Sequence, residues 1–170
     1  MPHDPGAVRV RWAQPGDAAT VATLLREFLR HEDKRVPTPA AAEAVARRAF
    51  DPDTPFQTMI AEVRGRAAGY LALYNAFSLF KGGRVVIVEN LFVYDWARGL
   101  GVGRSLMAAA AAEARRRGAT RMEMNVRDDR EETRTFYERL GAHPAGEVVY
   151  RVEDAALAAL ASDSHGGGPA

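Results

Sequence analysis

Residues 89–105 read ENLFVYDWARGLGVGRS. Gly99, Gly101 and Gly103 alternate with Leu100 and Val102, and Arg98 and Arg104 flank the run. Glycine allows backbone angles and close approaches that side chains forbid. A glycine loop that opens a helix turns unsatisfied N–H groups outward, at the positive end of the helix dipole. Two guanidinium groups beside it add charge. A pyrophosphate suits such a place. Upstream, Glu89 heads an apolar run; a carboxylate there can take a proton or hold a cation, and apolar surroundings raise a carboxylate's affinity for protons.

Three kinds of phosphate loop compete for the glycines. A nucleotide P-loop needs Lys followed by Ser or Thr after its last glycine; Arg104 and Ser105 stand there instead. A dinucleotide fingerprint belongs in the first βαβ unit, with an acidic residue about 20 positions on. Glu123 lies at that distance, but most of a small domain precedes this loop. The third form is an apolar strand, Arg-x-x-Gly-x-Gly, and then a helix.

The elements that must position these residues can be read from periodicity. Residues 8–13 alternate as a strand. Asp17 is the expected N-cap of a helix whose Val21, Leu24, Leu25, Phe28 and Leu29 form one apolar face. A second helix is predicted over 38–50, with Pro39 in its first turn. Residues 56–63 and 67–77 read as strands joined by a turn at Gly65. Residues 84–94, apolar at consecutive positions, read as a central strand covered on both faces. After Gly103 comes an alanine-rich helix with arginines in its last turn and Gly118 to end it. A strand over 120–126, a helix over 131–141, a strand over 146–152 and a short helix over 153–161 complete the series. Strands and helices alternate in the second half, so the expected class is a mixed α/β domain with part of its sheet parallel. One domain is expected over 1–161, with a flexible tail over 162–170.

Bulk properties exclude several functions. The 170 residues suit one core, and the net charge of +1 requires neither nucleic acid nor an anionic membrane as partner. No apolar run approaches the ~20 residues of a membrane span. The opening MPHDPGAVRV lacks a signal-peptide layout, so a cytoplasmic location is expected. His31 and His143 are isolated, His3 and His165 fall in the terminal segments, and no metal site is expected. The Arg115–Arg117 run reads as a helix end, not a nucleic-acid patch. Trp12 and Trp96 read as packing, with the rim of a cofactor groove as the alternative for Trp96.

The phrase NLFVYDWARGLGVG resembles the acetyl-CoA loop of the GNAT N-acetyltransferase superfamily. TRTFYERLGA (133–142) resembles that family's later motif, and IAEVRGRAAGYLAL (60–73) its central hairpin. These pieces stand in the family order across residues 8–152. VENLFV, with an acidic residue ahead of an apolar-aromatic pair, and LLREFLRHED (24–33) are similar to the diamine (spermidine/spermine) branch.

The resemblance implies a GNAT-like sheet flanked by helices on both faces, and acetyl transfer from acetyl-CoA to an amine. It implies that residues 98–104 (Arg98, Gly99, Leu100, Gly101, Val102, Gly103 and Arg104) grip the coenzyme. Leu91, Phe92 and Val93 would lie at a bulge just before the loop, where a freed backbone N–H faces the thioester carbonyl. Tyr137 matches the family's general acid; the plainer reading is a buried tyrosine that only finds a hydrogen-bond partner. Glu89 is the candidate base, directly or through water, or else only pairs with an arginine or binds the cationic substrate. Phe136 should be core.

With no cysteine in the chain, an acetyl-cysteine intermediate is excluded, leaving direct attack in a ternary complex as the simplest route. Two departures stand out. Arg130 occupies the place, seven residues before Tyr137, where the family often has an asparagine that holds the pantetheine arm. Asn90 replaces an acidic residue common in the diamine branch. Glu27, Glu32 and Asp33 are candidates to line a small-molecule amine site. The family also implies a homodimer. A protein N-terminal or lysine acetyltransferase, and a non-catalytic acetyl-CoA-binding module, are the competing functions.

Overall fold

A computed structural model describes residues 7–163. The chain divides into two compact units, Met1–Asp129 and Arg130–Ala170. The first holds a five-stranded sheet: β1 (Val8–Trp12), β2 (Phe56–Val63), β3 (Arg66–Ser78), β4 (Gly83–Val93) and β5 (Arg121–Met124), in that spatial order. Neighbours are antiparallel except β4 and β5, which run parallel.

Three helices cover this sheet. α1 (Ala18–His31) packs on β3 and β4, and α2 (Pro39–Arg48) packs on α1. α3 (Val102–Arg116) crosses from β4 to β5 and lies against all five strands. Short side chains let α1 and α2 approach: Ala18, Ala22, Ala42 and Ala46 are buried together with Val21 and Ile60. α3 buries Val102, Leu106, Met107, Ala110 and Ala114, the spacing of one helical stripe.

Local signals explain most boundaries. The Thr38 hydroxyl accepts from the Ala41 N–H at 3.2 Å, capping α2 with Pro39 in its first turn. Past α3, Gly118 adopts φ 72° and the Ala119 N–H returns to the Ala114 carbonyl at 2.9 Å. Asp17 stands at the N-cap position of α1 but makes no side-chain cap bond. Arg11 takes its carboxylate in a two-pronged pair at 2.7 and 2.8 Å, and the Gln14 N–H donates to it as well. That pair holds the Asp17 carboxyl down at about 2. The arginines that end α3 close on a buried acid: Arg116 and Arg117 both pair with Glu113.

The second unit contains α4 (Glu131–Glu138) and α5 (Asp154–Asp163). The strand expected over 146–152 is absent. Val148, Val149, Tyr150 and Val152 are all exposed there. Alternating apolar letters make a strand only where a neighbouring strand offers its edge, and this run has joined no ladder. α5 runs on through Ser162 and Asp163; the rest of the expected tail, with His165, and His3 at the other end, lie outside the described residues. No described helix is long and apolar enough to cross a membrane.

Candidate active site

β4 changes character at Glu89. Val85–Val88 pair with β5 on one side, ending at Val88↔Met124, and with β3 on the other. Across the β3 ladder Leu73 faces Val88 but Ala72 faces Asn90, so Glu89 is an extra residue, a β-bulge. Beyond it Leu91, Phe92 and Val93 resume regular pairing with Leu71, Tyr70 and Gly69. The bulge therefore falls two residues earlier than the sequence reading placed it. Strand 84–94 is also not covered throughout: Glu89 is exposed, and Asn90, Leu91 and Val93 are only part-buried. Its cover thins where β5 stops.

The ladder fixes where the amides beyond the bulge point. The Tyr94 N–H donates to the Ala68 carbonyl at 3.0 Å. Antiparallel pairing alternates, so Phe92 and Asn90 also turn their backbone groups toward β3. Leu91 and Val93 turn theirs the other way, toward the side that β5 has vacated. Of the three residues proposed to offer a free amide, two are so oriented and Phe92 is not. Gly69 lets the two strands lie this close: a Cβ there would sit 2.4 Å from the Phe92 carbonyl oxygen.

The glycine loop comes next along the chain. A single 3-10 turn, Asp95–Ala97, leads to Arg98, and Gly99 and Gly101 then take φ 76° and 79°. Left-handed angles cost other residues roughly 1–2 kcal/mol, so the glycines are needed for the turn itself. A Cβ at either would meet nothing within 4 Å, so both face open space. Gly101 is the N-cap of α3, and its carbonyl accepts from the Ser105 N–H at 2.9 Å. The N–H groups of Val102, Gly103 and Arg104 belong to the first turn, which has no intrahelical acceptors to offer them. Arg98 pairs with Asp95 at 3.0 Å, and Arg104 is exposed. This is a cradle of backbone donors with positive charge at its edge, able to hold a diphosphate.

On the α1 face of β4 an aromatic belt leads away from the bulge. Phe92 and Tyr94 meet at 5.2 Å between ring centroids, Tyr94 and Trp96 stack at 6.3 Å, and the Arg66 guanidinium lies 4.4 Å above Trp96. Phe28 of α1 stands edge-on to Tyr70 at 6.4 Å. Burial raises the Tyr94 phenol and nearby Glu27 raises it further, while Arg66 and Arg30 oppose them. Glu27 itself pairs with Arg30. Glu32 is engaged elsewhere, its carbonyl accepting from Arg127 at 3.2 Å and its carboxylate 3.9 Å from the same guanidinium. Asp33 comes after α1 with φ 53° and is exposed. Arg127 feels the charge of Asp33 as well as that of Glu32, and sequence reasoning missed the arginines that fold beside these acids.

In the second unit Tyr137 is 8 % exposed on α4, beside Phe136, with ring centroids 5.3 Å apart. Phe136 is part-buried, less enclosed than a core residue. Burial alone pushes the Tyr137 phenol up to about 12, so it carries its proton throughout the neutral range. Arg130 stands at the N-cap position of α4, and its carbonyl accepts from the Arg134 N–H at 3.1 Å.

Residues 20–142 match the model of the acetyltransferase (GNAT) family. The chain belongs to that family. This GNAT chain is an acetyl-CoA-dependent N-acetyltransferase, with a mixed sheet whose parallel strands β4 and β5 part before the glycine loop. A thialysine N-epsilon-acetyltransferase of Bos taurus is 27 % identical over 91 % of this chain and 97 % of its own length. An aminoalkylphosphonate N-acetyltransferase of Salmonella typhimurium is 28 % identical over 78 % of this chain and 82 % of its own. An integron cassette protein of V. cholerae superposes with a TM-score of 0.81 at 20 % identity, over 91 % of this chain and 97 % of that one.

Tyr70 and Tyr94 escaped the sequence reading. Both look like ordinary strand aromatics; the register of β3 against β4 sets Tyr70 opposite Phe92, and Tyr94 meets the Phe92 ring two residues along the chain.

Proposed function

We propose that this GNAT enzyme acetylates the primary amine of a small molecule, a diamine, polyamine or amino-acid-like compound, by direct attack in a ternary complex. The observation that carries the reading is the outward pair of amides at Leu91 and Val93, opened by the end of β5 and placed one turn before the glycine cradle. A diphosphate held at residues 98–104 leaves an arm free to run along that vacated edge. An N–H there can stabilise the negative charge that forms on a thioester oxygen; such a donor is worth roughly 10²–10³ in rate.

Glu89 draws the ammonium to β4 and takes a proton from it, freeing the nitrogen lone pair for attack at the acetyl carbon. The C–S bond then breaks, Tyr137 is the proposed donor of a proton to the departing thiolate, and the second proton that the nitrogen sheds as it becomes an amide returns through solvent to restore the phenol. Its buried phenol keeps a proton to give at neutral pH. Arg130 is proposed to meet a phosphate in place of the usual asparagine. Two of the similar proteins are named for acceptors with a primary amine on a short chain, which favours small amines over peptides.

Thiol release from acetyl-CoA tests the reading across putrescine, thialysine, an aminoalkylphosphonate, an aminoglycoside and a lysine-bearing peptide. Turnover is expected with the small alkyl amines. Turnover with the peptide alone would favour a protein acetyltransferase, and none with any acceptor would favour a binding module.

A further inference from the structure

The Tyr70 hydroxyl has no hydrogen-bond partner, although Tyr70 is only 2 % exposed. It lies on the α1 face of the sheet, directly across from Phe92 and two residues along β3 from the bulge partner Ala72. Leu24, Ala72 and Phe92 are buried around it and Phe28 packs edge-on. A phenol dehydrated without a partner carries the full cost of losing water, and phenylalanine would fill the same space without that cost. Glu89 is close enough for its charge to oppose ionisation of Tyr70, adding to burial, so the phenol stays neutral and its oxygen can accept a hydrogen bond.

We propose that Tyr70 is a substrate-binding residue whose hydroxyl, together with the Glu89 carboxylate, holds the acceptor's primary ammonium on the α1 face of β4. This rests on the role proposed for Glu89 in proton removal and deepens it by naming the acceptor class. An ammonium has three N–H donors. One meets Glu89, one meets the Tyr70 oxygen, and the nitrogen turns toward the thioester once a proton has left. Phe28, Phe92 and Leu24 pack with the Tyr70 side chain, so the acceptor nitrogen that reaches it is carried on a slim, unbranched alkyl stem. A sugar amine, with hydroxyl groups on adjacent carbons, would leave its own donors unpaired against those rings.

Tyr70→Phe is the test, because it removes the oxygen and keeps the shape. Steady-state kinetics on putrescine and thialysine should show KM for the amine raised about tenfold or more, with KM for acetyl-CoA unchanged. The melting temperature should hold or rise, since an unpaired buried hydroxyl is gone. A role in packing alone predicts the reverse: a lower melting temperature and unaltered amine KM, and that result overturns the proposal. An ordered water satisfying Tyr70 in place of substrate would likewise leave KM unmoved and overturn it. A wild-type enzyme that releases thiol with no amine overturns the proposed function itself; one that is active and indistinguishable from the variant overturns only the part played by Tyr70.

Discussion

The two halves of β4 make opposite use of the same strand. Val85, Val86 and Val88 are paired on both sides and buried, and they hold the sheet together. From Glu89 to Val93 the strand keeps β3 but loses β5, leaving its outward amides without a β5 partner and its one acidic side chain exposed. One extra residue marks the division. A site built this way inherits the rigidity of the core without itself being core, which is what positioning a thioester and an amine to within a fraction of an ångström requires.

Substitutions should therefore separate by half. The largest effect is expected just past the second half, at Gly101→Glu. A carboxylate and a disfavoured backbone angle enter the cradle together, and acetyl-CoA binding should fall below detection by calorimetry while cooperative melting is retained. Retained tight binding would remove the loop from the account. Next comes Glu89→Gln, at the division itself. Turnover per amine encounter should drop on the order of 10²-fold with no change in melting temperature; a drop of less than twofold would make Glu89 a bystander.

In the first half, Val86→Ala removes two methyl groups from a fully enclosed position. About 2 kcal/mol of stability should be lost in urea titration, with both KM values unaltered. A change in amine KM there would blur the comparison. Smallest is a control far from both halves, the Arg11–Asp17 pair. Its carboxyl is lowered from 3.8 to about 2 by folding, so the stability it adds is complete above pH 3.8 and is lost as pH falls toward about 2. After solvent screening this is worth about 1 kcal/mol, and Asp17→Asn should flatten that part of the stability profile without touching activity.

What could be read from the sequence was what acts locally. The glycines of the loop, Pro39 in the first turn of α2 and the Gly118 stop impose their angles on their own neighbours, and each appears where its type and spacing require. The apolar stripe of α1 and the hairpin around Gly65 come from periodicity in the same way. The position of the bulge did not, because a bulge exists only as a mismatch between two strands, here Leu73 and Ala72 against Val88 and Asn90. Asp17 looked like a cap because nothing local reveals that Arg11 would take it. Residues 146–152 have the alternation of a strand, but alternation supplies no partner. The acids of α1 stood out as charges, yet Arg30 and Arg127 had to be folded beside Glu27 and Glu32 before their availability could be judged. Tyr70 gives no sign at all until the β3–β4 register sets it opposite Phe92, past the bulge at Glu89.

The central claim is that amides exposed by the loop and by the unpaired end of β4 hold acetyl-CoA. Titration of the purified chain with acetyl-CoA in a calorimeter tests it most directly. One equivalent should bind in the micromolar range, with the heat abolished in Gly101→Glu. A wild-type chain that takes up no acetyl-CoA at millimolar concentration would contradict it.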